Sequence, residues 1–512
     1  MNEIDPSAKF TAKAVKAFAP GDVAQPGAAK LNPIAQQVAN QFRADSMSPI
    51  MVSGVLRLAE FALLALSGFI IYGSYVGAGG PLHWEYPLVI SAGALLMVLL
   101  LEMGDAYQVA ALRNPILQFG RILASWIGVF ATLALAGFFL KISGDFSRLW
   151  FGAWFGTGLM LLLIMRFVLS GFIKRWGRNG RMERRAVIVG GGKYAEGLIR
   201  SLEQQGDNDI RICGIFDDRD DQRSPTVVAG YPKLGTISEL IEFARLARID
   251  MLIVALPLTA EARVLTMLKK LWVLPVDIRL SAHSNKLQFR PRAYSHVGSV
   301  PLLDIFDKPI REWDSVAKRA FDIFFSLLGI VALSPFMLIT AIAIKLDSKG
   351  PVLFKQKRHG FNNEIIEVLK FRSMYADQSD PAAKKVVTKG DSRVTRVGRF
   401  IRKTSIDEFP QFFNALRGDL SLVGPRPHAV YAQTKDRMFN DVVEGYFARH
   451  RVKPGVTGWA QINGWRGEID SDDKIKMRTE YDLYYIENWS LWFDLKILLL
   501  TPLRLLNTEN AY

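Results

Sequence analysis

A chain of 512 residues is too long for one ordinary domain and predicts two to four. Half of it is hydrophobic, with the long apolar runs crowded into the first half, so a membrane region joined to soluble regions is expected. The net charge of +15 collects beside apolar segments, as in 174–185 (KRWGRNGRMERR), which favours a cytoplasmic membrane face over a nucleic-acid groove. The single cysteine, Cys213, excludes an internal disulfide, and zinc-ligand spacing is absent.

Residues 1–50 contain no signal-peptide core and are rich in Ala, Pro, Gln and Lys; they read as a mobile cytoplasmic tail with at most a short amphipathic helix. Four apolar segments follow at 56–76, 86–104, 120–140 and 149–170. A spanning helix takes about 20 apolar residues, which the third and fourth meet easily; the first carries Arg57 and Glu60 near its start. The tail holds Lys9, Lys13, Lys16, Lys30 and Arg43, the loop at 77–85 has no Lys or Arg, and the stretch after the fourth segment is strongly basic. That alternation places both ends of a four-helix transmembrane bundle, residues 51–175, in the cytoplasm.

Residues 180–310 read as a Rossmann-like α/β domain. Strands are expected at 186–190, 211–216, 250–257 and 275–280, alternating with helical stretches, which implies a parallel sheet. The turn after the first strand carries Gly190 and Gly192 in a G-x-G-x-x-A pattern, with Asp217-Asp218 further on. Such a turn suits a dinucleotide pyrophosphate, and it equally suits a tight turn in a regulatory or structural domain. An NAD-dependent nucleotide-sugar enzyme would want Tyr-x-x-x-Lys, and none of Tyr194, Tyr231 and Tyr294 has lysine four residues later.

A fifth apolar segment, 321–344, has Lys308, Arg311, Lys318 and Arg319 before it and Lys345, Lys349, Lys355, Lys357 and Arg358 after it. Both flanks read as cytoplasmic. Ser334-Pro335 lies mid-segment, where proline removes a backbone donor, so a re-entrant helix over 321–345 that breaks at this pair is expected. The alternative is a kinked spanning helix. Near the end, 491–506 with Trp489, Trp492, Lys496 and Arg504 suits an amphipathic helix at headgroup level.

The densest run of polar motifs lies between these two segments. It contains Lys370-Phe-Arg372, then Arg399 to Gln411 with Arg402, Asp407 and Glu408, then Gly424-Pro-Arg426-Pro, then Pro454 to Gly464 with Gln461 and Asn463. Asp407 and Glu408 sit in the field of Arg399, Arg402 and Lys403, which would keep both ionised. One carboxylate could attack phosphorus while the other holds a divalent cation, and arginine forks suit phosphate. The same residues also fit a helix cap: Ser405-x-x-Glu408 reads as a capping box and Asp407 as an N-cap. With capping as their role, the two acids would carry no chemistry and the chain would be a non-catalytic scaffold.

These motifs, in this order, resemble the bacterial sugar transferase domain of the polyprenyl-phosphate hexose-1-phosphate transferases over about 315–512. The four N-terminal segments and the α/β domain resemble the long form of that family. The resemblance implies a multidomain membrane protein with an α/β catalytic domain. It implies transfer of a hexose-1-phosphate, by family type glucose, from a UDP-sugar to undecaprenyl phosphate with release of UMP, as the start of exopolysaccharide or capsule synthesis. By it, Asp407 is the nucleophile that carries the sugar-phosphate and Glu408 binds Mg2+. Arg402, Arg426 and Arg372 bind phosphate or substrate, Lys318-Arg319 mark where the chain meets the membrane, and Gln461 and Asn463 lie near the site. The setting implied is the inner membrane with the catalytic domain on its cytoplasmic face and no nucleic acid; a homodimer and downstream glycosyltransferases are left open as partners.

Overall fold

The computed structural model describes residues 31–42, 49–77, 83–112, 115–178, 183–204, 210–219, 225–257, 260–281, 294–297, 300–378, 391–429, 433–434, 437–443, 445–465, 467, 469 and 471–505. The chain divides into two compact units, residues 45–184 and the remainder. Within the latter, helix α1 (Pro33–Gln41) is capped by the Asn32 side chain, which accepts from the Ala35 amide and donates to Leu234 O.

The 45–184 unit is built from α2 (Pro49–Ile71), α3 (Glu85–Met103), α4 (Pro115–Phe139) and α5 (Arg148–Arg178). Four stretches in it, Ile50–Val76, Glu85–Met103, Gln118–Phe139 and Arg148–Ile173, are long and apolar enough to cross a bilayer. Trp126, Trp150 and Trp154 are buried together, and α5 approaches so closely that a Cβ on Gly158 would stand 2.6 Å from the Trp126 ring. The two charges near the start of the first segment are both partnered. Arg57 pairs with Glu102 at 2.6 Å, and the fully buried Glu60 accepts from Arg166 and from the Tyr107 hydroxyl, each at 2.5 Å.

The remaining unit opens with an eight-stranded sheet. Its strands are β1 (Arg184–Val189), β2 (Ile210–Phe216), β3 (Val227–Val228), β4 (Tyr231–Gly235), β5 (Met251–Val254), β6 (Asp277–Ser281), β7 (Tyr294–Val297) and β8 (Val300–Phe306), in the order β3-β4-β2-β1-β5-β6-β8-β7. β1 pairs parallel with β5, β5 with β6, and β2 with β4, while β8, β7 and β3 join antiparallel at the edges. Helices α6 (Lys193–Glu203), α7 (Ile237–Leu246) and α8 (Glu261–Leu271) connect the parallel strands. Both sheet faces are covered: Val187 and Val189 enter one apolar cluster, Ala186 and Ile188 the other.

The short helix allowed for in the N-terminal tail is α1, and it is not free: Ala35, Ala39 and the following Phe42 are buried in the sheet's core, and Phe42 O accepts from Arg185 Nη1 and the Arg248 amide. Small and aromatic side chains on one helical face drive that packing despite a polar composition. The rest of the expected tail, at 1–30 and 43–48, lies outside the described residues.

The chain then enters α9 (Glu312–Asp347), 36 residues without interruption and longer than the expected 321–345. The break expected at Ser334-Pro335 is not seen: Pro335 lies inside the continuous helix. Proline lacks the amide that would bond Val331 O, and the Ser334 hydroxyl donates to that carbonyl at 2.8 Å instead. The first half of α9 packs on α11 (Gln411–Arg417) and β11 (Ser421–Val423). Asp322 accepts from Ser421 Oγ and the Leu422 amide, and a Cβ on Gly329 would stand 2.7 Å from the Phe412 ring. The second half packs on the hairpin β9 (Leu353–His359) and β10 (Ile365–Phe371) and on α10 (Arg396–Lys403). Ile344 is buried with Phe371 and Ile401, and Asp347 accepts from the Val397 amide. Between these anchors Val331, Phe336, Leu338 and Ile339 are exposed. The chain closes with β12 (Gly455–Thr457), parallel to β11, then α12 (Asp472–Glu487) and α13 (Leu491–Leu505).

Lys318 is not presented to a lipid surface. It is buried against Asp494 at 2.7 Å, Asp322 at 3.3 Å and Val423 O at 3.1 Å, which ties α9 to α13. Arg319 donates to Ala415 O and Leu416 O, at the negative end of α11. On α13 Trp492, Leu499 and Leu503 are exposed and spaced to share one face, Leu491 is exposed at its start, and Ile497 is fully buried.

Candidate active site

The tightest cluster of charge forms where the turn after α10 meets the β9–β10 hairpin and the Gly424–Pro427 turn. Ser405 takes a left-handed conformation (φ 59°), ending α10 and starting a single 3-10 turn over Ile406–Glu408. Pro410 then opens α11. No side-chain cap bond forms at Ser405, and α11 begins without a side-chain cap, so the capping role is not what the two acids perform.

Glu408 is mostly buried and fully paired. Its Oε1 accepts from Lys370 Nζ at 2.8 Å, and the Arg426 guanidinium meets both oxygens fork to fork, with Nη1 to Oε2 at 3.0 Å. Burial alone would raise its pKa, but Arg426 and Lys370 outweigh burial and hold the carboxyl well below the ordinary range. Asp407 is 9 % exposed. Burial, with a smaller push from Glu408, raises its pKa to about 6 against the attraction of Lys370, Arg402 and Arg426. The field of basic residues therefore does not keep both acids at ordinary values. It fixes Glu408 as a permanent anion and leaves Asp407 as a desolvated carboxylate that is ionised at neutral pH and weakly partnered.

Two basic residues complete the site that motif reading undervalued. Lys370 and Arg358 share one face of the hairpin, since Val368 stands opposite Gln356 and Lys370 opposite Phe354. Arg358 donates to Gln356 Oε1 and to Pro427 O, and burial, then Arg426, lowers its pKa to about 10. Period-two alternation along 353–371 was the available signal.

Of the expected substrate residues, Arg426 bonds Glu408 and Arg402 acts on Asp407 through its charge. Arg372 does neither: it is buried and donates to Lys349 O at 2.5 Å and Ser348 O at 2.8 Å, serving the open carbonyls after α9. Asn463 donates to Trp459 O at the end of a short turn, and Gln461 keeps a buried Oε1 with no hydrogen-bond partner among the described residues. Ser334 and Pro335 lie mid-way along α9. Gly190 and Gly192 lie in the other domain, both at positive φ (102° and 81°). There Asp217 accepts from the Gly191 amide at 2.7 Å and pairs with Arg219, which also donates to Gly191 O, so the turn is closed upon itself.

Magnesium would need oxygens from this pair of acids. Among the described residues no three His, Cys, Asp or Glu side chains come together as a metal set. Both Glu408 oxygens already accept from cations, and Lys370, Arg358, Arg402 and Arg426 surround only two carboxylates. These residues do not fit a resident divalent ion. They fit a phosphorylated substrate that brings its own negative charge and counter-ion.

The model of the family described as bacterial sugar transferase matches residues 313–508, and one described as a CoA-binding domain matches residues 102–282. The chain is 39 % identical over 360 residues to an undecaprenyl-phosphate glucose phosphotransferase of Komagataeibacter xylinus, covering 70 % of this chain and 66 % of the relative. It is 32 % identical over 460 residues to a UDP-glucose:undecaprenyl-phosphate glucose-1-phosphate transferase of Xanthomonas campestris pv. campestris, covering 90 % and 94 %. A UDP-N-acetylgalactosamine-undecaprenyl-phosphate N-acetylgalactosaminephosphotransferase of Aeromonas hydrophila is 46 % identical over 185 residues, 36 % of this chain and 42 % of the relative. With five helices among the described residues apolar and long enough to cross a bilayer, and a buried acid pair ringed by cations, this multi-pass membrane protein belongs to the bacterial sugar transferase family as an undecaprenyl-phosphate sugar phosphotransferase.

Proposed function

We propose that residues 315–512 transfer glucose-1-phosphate from UDP-glucose to undecaprenyl phosphate through a covalent intermediate on Asp407, as the first step of an exopolysaccharide or capsule. Asp407 attacks the β-phosphorus, and the bond to the bridging oxygen breaks as UMP leaves with the electron pair. A phosphate oxygen of undecaprenyl phosphate then attacks the same phosphorus and frees the carboxylate. Lys370, Arg402 and Arg426 offset charge on the transferring group. Magnesium enters as the counter-ion of the diphosphate.

The observation that carries this reading is the division of labour at the acid pair. Glu408 is spent on Arg426 and Lys370, while Asp407 is desolvated, ionised at neutral pH and available. Glucose is supported by the names of the two relatives that align over most of this chain. A re-entrant course for α9 is supported by its two halves being bound to one domain, with the apolar middle exposed. The exposed stripe on α13 would lie at the same membrane face, the cytoplasmic face of the inner membrane.

Rapid quench of the full-length protein in membrane mimetic tests the intermediate. With UDP-[14C]glucose and no lipid acceptor, one equivalent of UMP and a labelled adduct on Asp407 are expected, and none on Asp407→Asn. UMP release that requires both substrates together, with no adduct trapped, rejects the covalent reading.

A further inference from the structure

The Gly424–Pro427 turn presents Arg426 to Glu408, and its carbonyls find their donors from several directions. Pro425 O accepts from the Gly455 amide at 2.9 Å, Pro427 O from Arg358, and His428 O from the His359 amide at 3.2 Å. The Arg426 carbonyl itself is taken by a side chain: Arg449 Nη2 donates to it at 2.7 Å. The same nitrogen donates to Asp482 Oδ2 on α12 at 2.6 Å, and Nη1 of Arg449 bonds His428 Nδ1. One guanidinium thus grips the chain on both sides of Pro427.

Arg449 and Asp482 are fully buried, with 0 % and 1 % side-chain exposure. Removing one partner of such a pair strands the other's charge, and hydrophobic residues commonly replace such pairs without loss. A pure packing role therefore explains poorly why a guanidinium is spent here. His428 accepts at Nδ1 as a neutral imidazole, since burial, then Arg449, Arg478 and Arg358, push its pKa well below the usual value. The Tyr446 hydroxyl lies 2.6 Å from the same nitrogen. The segment is held from behind as well. Ala448 enters the core of the α/β sheet, and a Cβ on Gly445 would stand 2.2 Å from the Trp272 ring. Arg451 Nη2 donates to Asp307 O at 2.8 Å.

We propose that Arg449, fixed by Asp482, is a positioning residue that sets the angle at which Arg426 reaches Glu408 and the transferring phosphate. It touches neither substrate nor nucleophile and acts through the Arg426 carbonyl. The proposal rests on the phosphotransfer reading of Asp407 given above.

A double-mutant cycle on the full-length protein tests it, reading UMP release from UDP-glucose with undecaprenyl phosphate and melting temperature in parallel. Asp482→Asn keeps the shape and an acceptor but removes the charge that orients Arg449. It is expected to lower kcat roughly 10- to 50-fold while KM for UDP-glucose moves less than about threefold. In an Arg426→Lys background, where the planar fork is gone, the same change is expected to lower kcat less than about threefold. Equal losses in the two backgrounds overturn the proposal. If Asp482→Asn does not fold, Arg449→Lys is read in the same cycle with the same expectation. A wild-type chain that releases no UMP from UDP-glucose or any other UDP-sugar counts against the phosphotransfer reading; an active wild type with an additive cycle counts against positioning alone.

Discussion

Glu408 and Arg426 meet through two hydrogen bonds, and Lys370 closes the third side of the same carboxylate. Glu408→Gln would replace an anion held by two cations with a neutral amide that cannot accept at both positions. Breaking a buried pair from one side typically costs about 3–5 kcal/mol, and the lower end applies because Arg426 and Lys370 can turn partly to Asp407. The expected outcome is a lower melting temperature together with loss of UMP release. Glu408→Asp should recover part of the stability and less of the activity. A Glu408→Gln protein with unchanged melting temperature would mean that the pairing contributes little.

The pH dependence of turnover should report Asp407. Burial raises its pKa to about 6, so the carboxylate proposed as nucleophile protonates as pH falls through that value and UMP release should fall with it. Lys370 is the strongest of the charges that lower this pKa. Lys370→Met should therefore move the acidic limb of the kcat/KM profile to higher pH, by roughly half a unit or more. A profile that stays in place, or moves to lower pH, would show that Lys370 does not act on Asp407.

The same raised pKa has a consequence for folding. A carboxyl with a higher pKa in the folded state than in the unfolded one binds its proton more tightly when folded. The folded state then loses stability as pH rises from about 4 through about 6, and above that range the loss is complete. At pH 7 the ionised Asp407 is a burden on the order of 3 kcal/mol. Asp407→Asn should abolish turnover and raise the melting temperature at pH 7, with the gain shrinking towards pH 4. Denaturation scans at the two pH values measure it.

What was legible in the sequence follows from how local the causes are. β1, β2, β5 and β6 were visible because strands buried on both faces read as short apolar runs, as with Ala186 to Val189. β7 and β8 were not, because their antiparallel pairing on β6 depends on distant partners. Asp407 and Glu408 were visible as a motif, and their environment was not: nothing near them in the chain shows that Lys370, 38 residues earlier, bonds Glu408. Arginine was favoured over lysine as a phosphate ligand, which promoted Arg372 and passed over Lys370. The fold uses Arg372 to close the end of α9 instead. A short helix in the tail was allowed for, but the docking of α1 into the sheet's core was not legible, because its buried face is made mostly of alanine.

Chelation separates a metal that travels with substrate from one that belongs to the fold. Because Glu408 is already saturated by cations, EDTA is expected to stop UMP release and to leave the melting temperature of the substrate-free protein unchanged. Added Mg2+ should restore turnover. A fall in melting temperature with EDTA alone would place a structural ion in the protein and contradict the charge balance described for the acid pair.

The last expectation concerns the proline in α9. Val331 O loses its helical amide to Pro335 and regains a donor from Ser334 Oγ at 2.8 Å, in a stretch where Val331, Phe336 and Ile339 are exposed and apolar. In lipid a carbonyl without a donor has no water to turn to. Ser334→Ala should therefore destabilise the fold by about 1–2 kcal/mol, with little direct effect on the acid pair. Pro335→Ala supplies the missing amide and should be neutral or stabilising for the helix while relaxing any bend that proline imposes. If the bend brings the chain back to the face it started from, a cysteine at Gly360 in the Pro335→Ala protein should become reachable by periplasmic thiol reagents in a measurable fraction of molecules, whereas with Pro335 present it is shielded. Equal shielding in both proteins would assign the topology to the polar anchors at Asp322 and Asp347 rather than to proline, and labelling in both would reject the re-entrant course.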